Sequence, residues 1–259
     1  MTVDVDMKTD FLLYLDILGF EALCLGGDPK VEQIYECLLQ AKSAHYRSYK
    51  IVIFSDTVLI QNIGIENPMY SLMFLCEFFI DLQYWLSKIN VFIRGVIKNG
   101  PFTLERRQDV EIFYGPAIIA AYRAEKTIKA VGLFMCNGCA EFNHIHTLTH
   151  FDSKHSFVQT LLGVVKHFQL TCGGVEVDRF ILEETDELCH LKDDIQLLQL
   201  FSQHRRTDID PCVKAKHEAT WQLIRSCNEQ LLDALEEESF DLDVVNDEFD
   251  WSRMGMYES

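Results

Sequence analysis

Asp16 and Asp56 are the residues whose placement points to chemistry. Each follows a run of strand-forming apolar residues, Phe11 to Leu15 in one case and Ile51 to Phe54 in the other. An unpaired carboxylate in that setting is costly. Two such carboxylates brought together repel unless a cation lies between them. Hard oxygen ligands of this kind suit Mg²⁺ or Mn²⁺, with substrate phosphates completing the shell. A pair of such ions favours in-line displacement at phosphorus. The plain alternative is that each aspartate caps a turn or pairs with a nearby arginine. Cys136-Asn137-Gly138-Cys139, with His144, His146 and His150 downstream, has the look of a zinc site, but its spacing fits no common finger. No Gly-rich phosphate loop, nucleophile elbow or kinase signature is present.

The elements that must position the aspartates follow from periodicity. Residues 11–15 read as a buried strand, and Val31, Ile34, Tyr35, Leu38 and Leu39 recur at helical spacing. Ile51–Phe54 and Thr57–Ile63 read as a hairpin with Asp56 at its tip. Pro68–Lys88 reads as a core helix and Val91–Ile97 as a strand. Val110–Tyr114 is expected as a strand, Gly115-Pro116 opens a helix through Ala130, and Val131–Cys136 is a strand again. The first six elements, βαββαβ, form the ferredoxin-like pattern, and a further βαβ follows. A helix is expected over 157–168, a strand over 175–182 and a long amphipathic helix over 214–235. The chain is thus expected to be α+β, with a core over 1–150, a mostly helical extension over 151–240 packed on it, and an acidic tail over 241–259.

The 259 residues suffice for one large domain, or for one domain with an appendage. A net charge of −17 and a pI near 4.8 disfavour nucleic acid and anionic membranes as partners. No apolar stretch reaches the roughly 20 residues that span a bilayer. The start of the sequence lacks the apolar run of a secretory signal. Nine scattered cysteines, an odd number, suit reduced thiols in a cytoplasm.

Four segments carry a resemblance. Asp16-Ile17-Leu18-Gly19-Phe20 resembles the first metal motif of the class III nucleotide cyclases, and Phe54-Ser55-Asp56-Thr57 resembles the second. Arg94–Gly100 resembles the strand after the central helix, and Tyr114–Glu125 the helix bearing the transition-state arginine. Order and spacing agree over roughly 10–136. The wording FSDT, RGxIxxG and GPAxxxAYxxE, with Val213–His217 running on to Trp221, is similar to the stand-alone pyrimidine cyclases of the bacterial Pycsar anti-phage systems.

The resemblance implies a class III cyclase core in which two Mn²⁺ or Mg²⁺ ions bind Asp16, the Ile17 carbonyl and Asp56. It implies a homodimer with active sites at the interface, and Arg123 acting across it on the α-phosphate. Phe20, Tyr49, Val52, Arg94, Ile112 and Arg123 are the residues expected around the nucleotide, although a structural salt bridge is the stronger expectation for Arg94. Purine cyclases read the base with a polar pair at the positions of Val52 and Ile112, so the usual purine readout is missing. Tyr49 is expected to narrow the pocket toward a small base. Ile119 stands where purine enzymes carry a ribose-orienting Asn. The implied reaction is UTP to 3′,5′-cyclic UMP and pyrophosphate, the product serving a separate cyclic-nucleotide-sensing effector. CTP is the first alternative, a degenerate binding module the second, and a purine cyclase the third.

Overall fold

The computed structural model describes residues 10–44, 49–163, 165–172, 175–182, 191–207, 210–245, 247 and 251. The chain divides into two compact units, 1–158 and 159–259.

The first unit is built on a seven-stranded sheet of order β2-β3-β1-β4-β7-β9-β8. β1 (Asp10–Ile17) leads into a short α1 (Phe20–Gly26) and then α2 (Lys30–Ala44). β2 (Tyr49–Phe54) and β3 (Thr57–Asn62) form the expected hairpin, turning at Ser55-Asp56 with Ser55 at a positive φ of 56°. α3 (Pro68–Ser87) returns the chain to β4 (Ile93–Gly100), which pairs antiparallel with β1. The order β2-β3-β1-β4 is the ferredoxin-like arrangement, so the expected α+β class is the one observed.

Strand periodicity sorts the side chains of β1. Leu13, Leu15 and Ile17 enter a core with Ile34, Leu38, Leu75, Phe79 and Leu82 of α2 and α3. Leu12 and Tyr14 enter a smaller cluster with Leu59 and Ala121 of α4 (Pro116–Thr127). Asp16 shares the parity of Leu12 and Tyr14, which directs it to the α4 side. On β4 the same rule separates Arg94 from Gly95. A Cβ on Gly95 would lie 2.8 Å from the Phe79 ring, so glycine lets α3 pack flat on the strand.

Two expectations are corrected in this unit, and one strand is added. β6 (Val110–Tyr114) is a strand, but it pairs with β5 (Thr103–Arg107) in a separate two-stranded arm and not with the main sheet. β5 went unread because Thr-Leu-Glu-Arg-Arg has no alternating apolar signal. β7 (Gly132–Cys136), which pairs parallel with β4, is followed by the single turn α5 (Asn137–Ala140) and by β8 (Leu148–His150) and β9 (His155–Val158), which complete the sheet. The helix expected over 157–168 is therefore absent. Phe157 and Val158 belong to β9 and Val165 and Phe168 to β10 (Val165–Cys172), while Leu161 and Leu162, in the stretch of chain that links the two strands, are buried.

In the second unit β10 pairs antiparallel with β11 (Val175–Leu182), the latter as expected. α6 (Leu191–Thr207) was not anticipated, and α7 (Pro211–Glu237) runs longer than its expected 214–235. Asp210 caps α7 by accepting from the Cys212 N–H. Arg205 lies over the Trp221 ring and pairs with Glu236, joining α6 to α7. In the acidic tail Val245 and Trp251 are buried. Among the described residues no helix is long and apolar enough to cross a membrane.

Candidate active site

Asp16 and Asp56 come together because β1 and β3 are neighbours. Asp16 is paired across the ladder with Thr57, and the Ile17 N–H donates to the Asp56 carbonyl at 2.9 Å. Both carboxylates line one cavity of about 460 Å³. That volume suits a small-molecule ligand.

The other side of Asp16 is held by Arg94, its ladder partner on β4. The guanidinium donates to Asp16 at 2.6 Å and to the Ile128 carbonyl at 2.7 Å, and it is ion-paired with Glu125 of α4. Arg94 is 4 % exposed, so this is a buried junction of β1, β4 and α4. One cation here faces two carboxylates, with Asp56 adding a third nearby. Burial raises the Asp16 carboxyl above its ordinary value, and the charges of Glu125 and Asp56 raise it further against the pull of Arg94. Lys126 pairs with Glu125 at 3.4 Å from the exposed side. The negative charge exceeds the positive, which favours a cation in the cavity.

No group of three or more His, Cys, Asp or Glu side chains among the described residues is arranged to hold a metal alone. Two carboxylates make only part of a shell. Their hard oxygens fit a divalent ion whose remaining ligands are backbone, water and phosphate oxygens.

The rest of the lining is mostly apolar or aromatic. It includes Tyr14, Val52, Leu59, Phe113, Ile118, Ile119 and Tyr122. Helical spacing gathers Ile118, Ile119, Tyr122, Glu125 and Lys126 on one stripe of α4. That stripe is legible in the sequence, but nothing local separates Glu125 and Lys126 from ordinary solvent-facing charges on a helix.

Of the expected site residues, Asp16, Asp56 and Val52 line the cavity, and so does Ile119. The other placements differ. Tyr49 has the opposite strand parity to Val52; its hydroxyl donates to the Phe74 carbonyl at 3.0 Å and its ring packs on Phe78. Phe20 is buried in the core, edge-on to Tyr35. Ile112 is not in the lining, because alternation on β6 gives that place to Phe113. Arg94 is occupied by its carboxylates and the Ile128 carbonyl and does not line the cavity. Arg123 is exposed on a different face of α4 from the lining stripe, and no hydrogen bond or ion pair to it is found among the described residues. Cys136 and Cys139 are neighbours, but His144, His146 and His150 do not complete a metal group with them.

No protein-family model and no curated protein matches the chain. Solved structures that resemble it are catalytic domains of guanylyl and adenylyl cyclases. The guanylyl cyclase domain of the RhoGC fusion protein from Blastocladiella emersonii is 16 % identical, with a TM-score of 0.49 over 58 % of this chain and 94 % of its own. The guanylate cyclase domain of RhGC from Catenaria anguillulae, in complex with GTP, is 12 % identical, with a TM-score of 0.49 over 59 % and 96 %. The adenylyl cyclase CyaB from P. aeruginosa is 11 % identical, with a TM-score of 0.45 over 58 % and 93 %. These scores are too low to transfer a role to any residue of this chain.

Proposed function

We propose that the chain is a nucleotide cyclase that converts UTP to 3′,5′-cyclic UMP and pyrophosphate. The observation that carries the reading is the convergence of Asp16 and Asp56 in a cavity with a net negative charge and a largely apolar remainder. Asp16 and Asp56 would hold one or two divalent ions, Mg²⁺ or Mn²⁺, with the Ile17 carbonyl as a further oxygen ligand. Such ions, when bound, neutralise the triphosphate and acidify the ribose 3′-hydroxyl. Arg94 and Glu125 keep Asp16 in place. The cavity positions the 3′-oxygen for attack on the α-phosphorus, and pyrophosphate leaves. Val52 and Phe113 offer no side-chain polar group that could read a purine edge, and a compact pyrimidine fits that lining best.

Arg123 supports a dimeric reading. It is exposed on α4 beside Tyr122, and Phe54, Phe113, Ile119 and Tyr122 of the lining are themselves exposed. A second copy covering this rim would place its own Arg123 toward the α-phosphate. Following the Pycsar resemblance, the product would act in a bacterial cytoplasm as an anti-phage second messenger for a separate effector.

The test is incubation of the purified chain with ATP, GTP, CTP and UTP and Mn²⁺, with products identified by mass. Cyclic UMP alone is expected. Cyclic CMP would move the assignment to the other pyrimidine, and a cyclic purine would overturn the reading of Val52 and Phe113. No product from any of the four would favour a binding module, in keeping with Ile119 at the ribose position. Asp16→Ala and Asp56→Ala should each abolish turnover with the fold intact.

A further inference from the structure

A second cluster lies at the other end of β4. Arg94 and Asn99 are five residues apart on that strand, or roughly 16 Å. Beside Asn99 the last residue of β7, Cys136, meets Cys139 of α5 with their sulfurs 3.2 Å apart. The Cys136 thiol also reaches Asn99 Oδ1 at 3.4 Å, and the Asn99 amide donates to the Gly138 carbonyl at 3.0 Å, which fixes the turn between the cysteines. Cys139 is fully buried, whereas Cys136 is partly exposed.

The surroundings are charged in a directed way. Lys98 Nζ sits 2.7 Å from His155 Nε2, and His155 Nδ1 faces Asp152 at 3.1 Å. With Asp152 accepting from Nδ1–H, Nε2 is left to accept from Lys98. A lysine in a half-buried place is thereby held beside the two sulfurs. Hydrogen bonding from Cys139 pulls the Cys136 thiol below its ordinary value, helped by Asn99 and the Lys98 charge and opposed by burial. The Cys139 thiol is pushed up by the same contact and by burial. The partly exposed Cys136 is thus the more readily ionised sulfur and the buried Cys139 the thiol held against it, which is the division of labour of a reactive dithiol.

We propose that Cys136 and Cys139 form a redox-active pair that reacts with hydroperoxides, Cys136 as the attacking sulfur and Cys139 as the resolving one. The Cys136 thiolate attacks one peroxide oxygen, the O–O bond breaks, and the leaving hydroxide takes a proton from solvent. Cys136 is then a sulfenic acid. The Cys139 sulfur attacks the Cys136 sulfur, the S–O bond breaks, and the hydroxyl leaves as water with the proton of Cys139. The two thiols lose two electrons, and hydrogen peroxide becomes two waters. The sulfurs need to approach by only about 1 Å to reach bonding distance.

The test treats the reduced full chain with a stoichiometric amount of hydrogen peroxide, blocks remaining thiols and maps the peptides by mass. A Cys136–Cys139 disulfide is the expected product. Disulfides or sulfenic acids at Cys24, Cys212 or Cys227 with Cys136 and Cys139 still reduced would overturn the proposal. In Cys139→Ala the sulfenic acid on Cys136 should persist and be captured by a dimedone reagent. Iodoacetamide labelling of unmodified chain gives a second readout that needs no variant. Between pH 6 and 8 the rate at an ordinary thiol rises about tenfold per unit. The rate at Cys136 should rise less steeply than at the exposed Cys24, Cys212 and Cys227, and an equal slope would show that it is not the activated sulfur required. Lys98→Met should restore part of the slope.

Discussion

Arg94 is buried among acid, with Asp16 at 2.6 Å and Glu125 in direct contact. Removing the buried cation of this group leaves two carboxylates facing each other, at a cost of about 3–5 kcal/mol. Arg94→Met should lower the urea midpoint accordingly. A mere rise in KM for nucleotide at unchanged stability would instead mark Arg94 as a substrate ligand. Asp16 gives the pH dependence. Burial, then Glu125 and Asp56, hold its folded-state carboxyl above the ordinary 3.8 against Arg94. The folded chain therefore keeps a proton there that the unfolded chain has already lost. That contribution to stability is present at low pH and fades as pH rises through the raised value. A divalent ion held by Asp16, as proposed, has to displace the same proton. Mn²⁺ affinity, followed by water-proton relaxation, should rise about tenfold per unit until Asp16 is ionised, in a window above the usual carboxylate range. In Asp16→Asn binding should be weaker and that slope lost. A slope unchanged in the variant would remove Asp16 from the ion's shell.

At the scale of elements, the turn into α4 sets the position of the whole lining stripe. Gly115 has φ 142°, and a Cβ there would meet the Phe102 Cα at 2.6 Å and the Pro101 carbonyl oxygen at 2.7 Å. The backbone conformation alone costs a larger residue about 1–3 kcal/mol, before that overlap. Gly115→Ala should lower the melting temperature and, by tilting α4, also depress kcat. A normal melt with normal turnover would show that the crossing is loose. The Gly-Pro signal for this helix start is local and was legible in the sequence, as were the strand runs ending at Asp16 and Asp56 and the hairpin between β2 and β3. The βαββαβ order follows from such local signals, while the seven-residue α1 is too brief to show a period. Facing and partnership are less local. Val110–Tyr114 reads as a strand, but its pairing with the polar β5 is a tertiary choice. A shift of one residue on β6 exchanges Ile112 for Phe113 at the cavity, and parity likewise sends Tyr49 into the core. The short β8 and β9 add to the sheet edge with too few residues to show a period. The role of Glu125 was hidden because its partner Arg94 lies 31 positions earlier and meets it only when β4 and α4 pack.

For the molecule as a whole, the exposed Arg123 and the apolar rim of the cavity lead to the same expectation. If each site needs Arg123 from a second copy, the protein's activity is a property of the pair. Specific activity should then rise with protein concentration and level off as the dimer fills. A net charge of −17 opposes that association at low salt, so the half-maximal concentration should fall as ionic strength is raised toward physiological values. Complementation decides the geometry. Asp16→Ala retains Arg123 but lacks a proposed metal ligand, while Arg123→Ala retains both aspartates. Each alone should be inactive. Mixed in equal amounts with free exchange, half the dimers contain one of each, and every such dimer has a single site with all its groups intact. Since two sites per dimer is the wild-type complement, the mixture should recover roughly a quarter of wild-type activity. Recovery at that level with size-exclusion evidence of exchange would place the arginine in trans. No recovery from exchanging chains would mean that Arg123 serves its own cavity, or none.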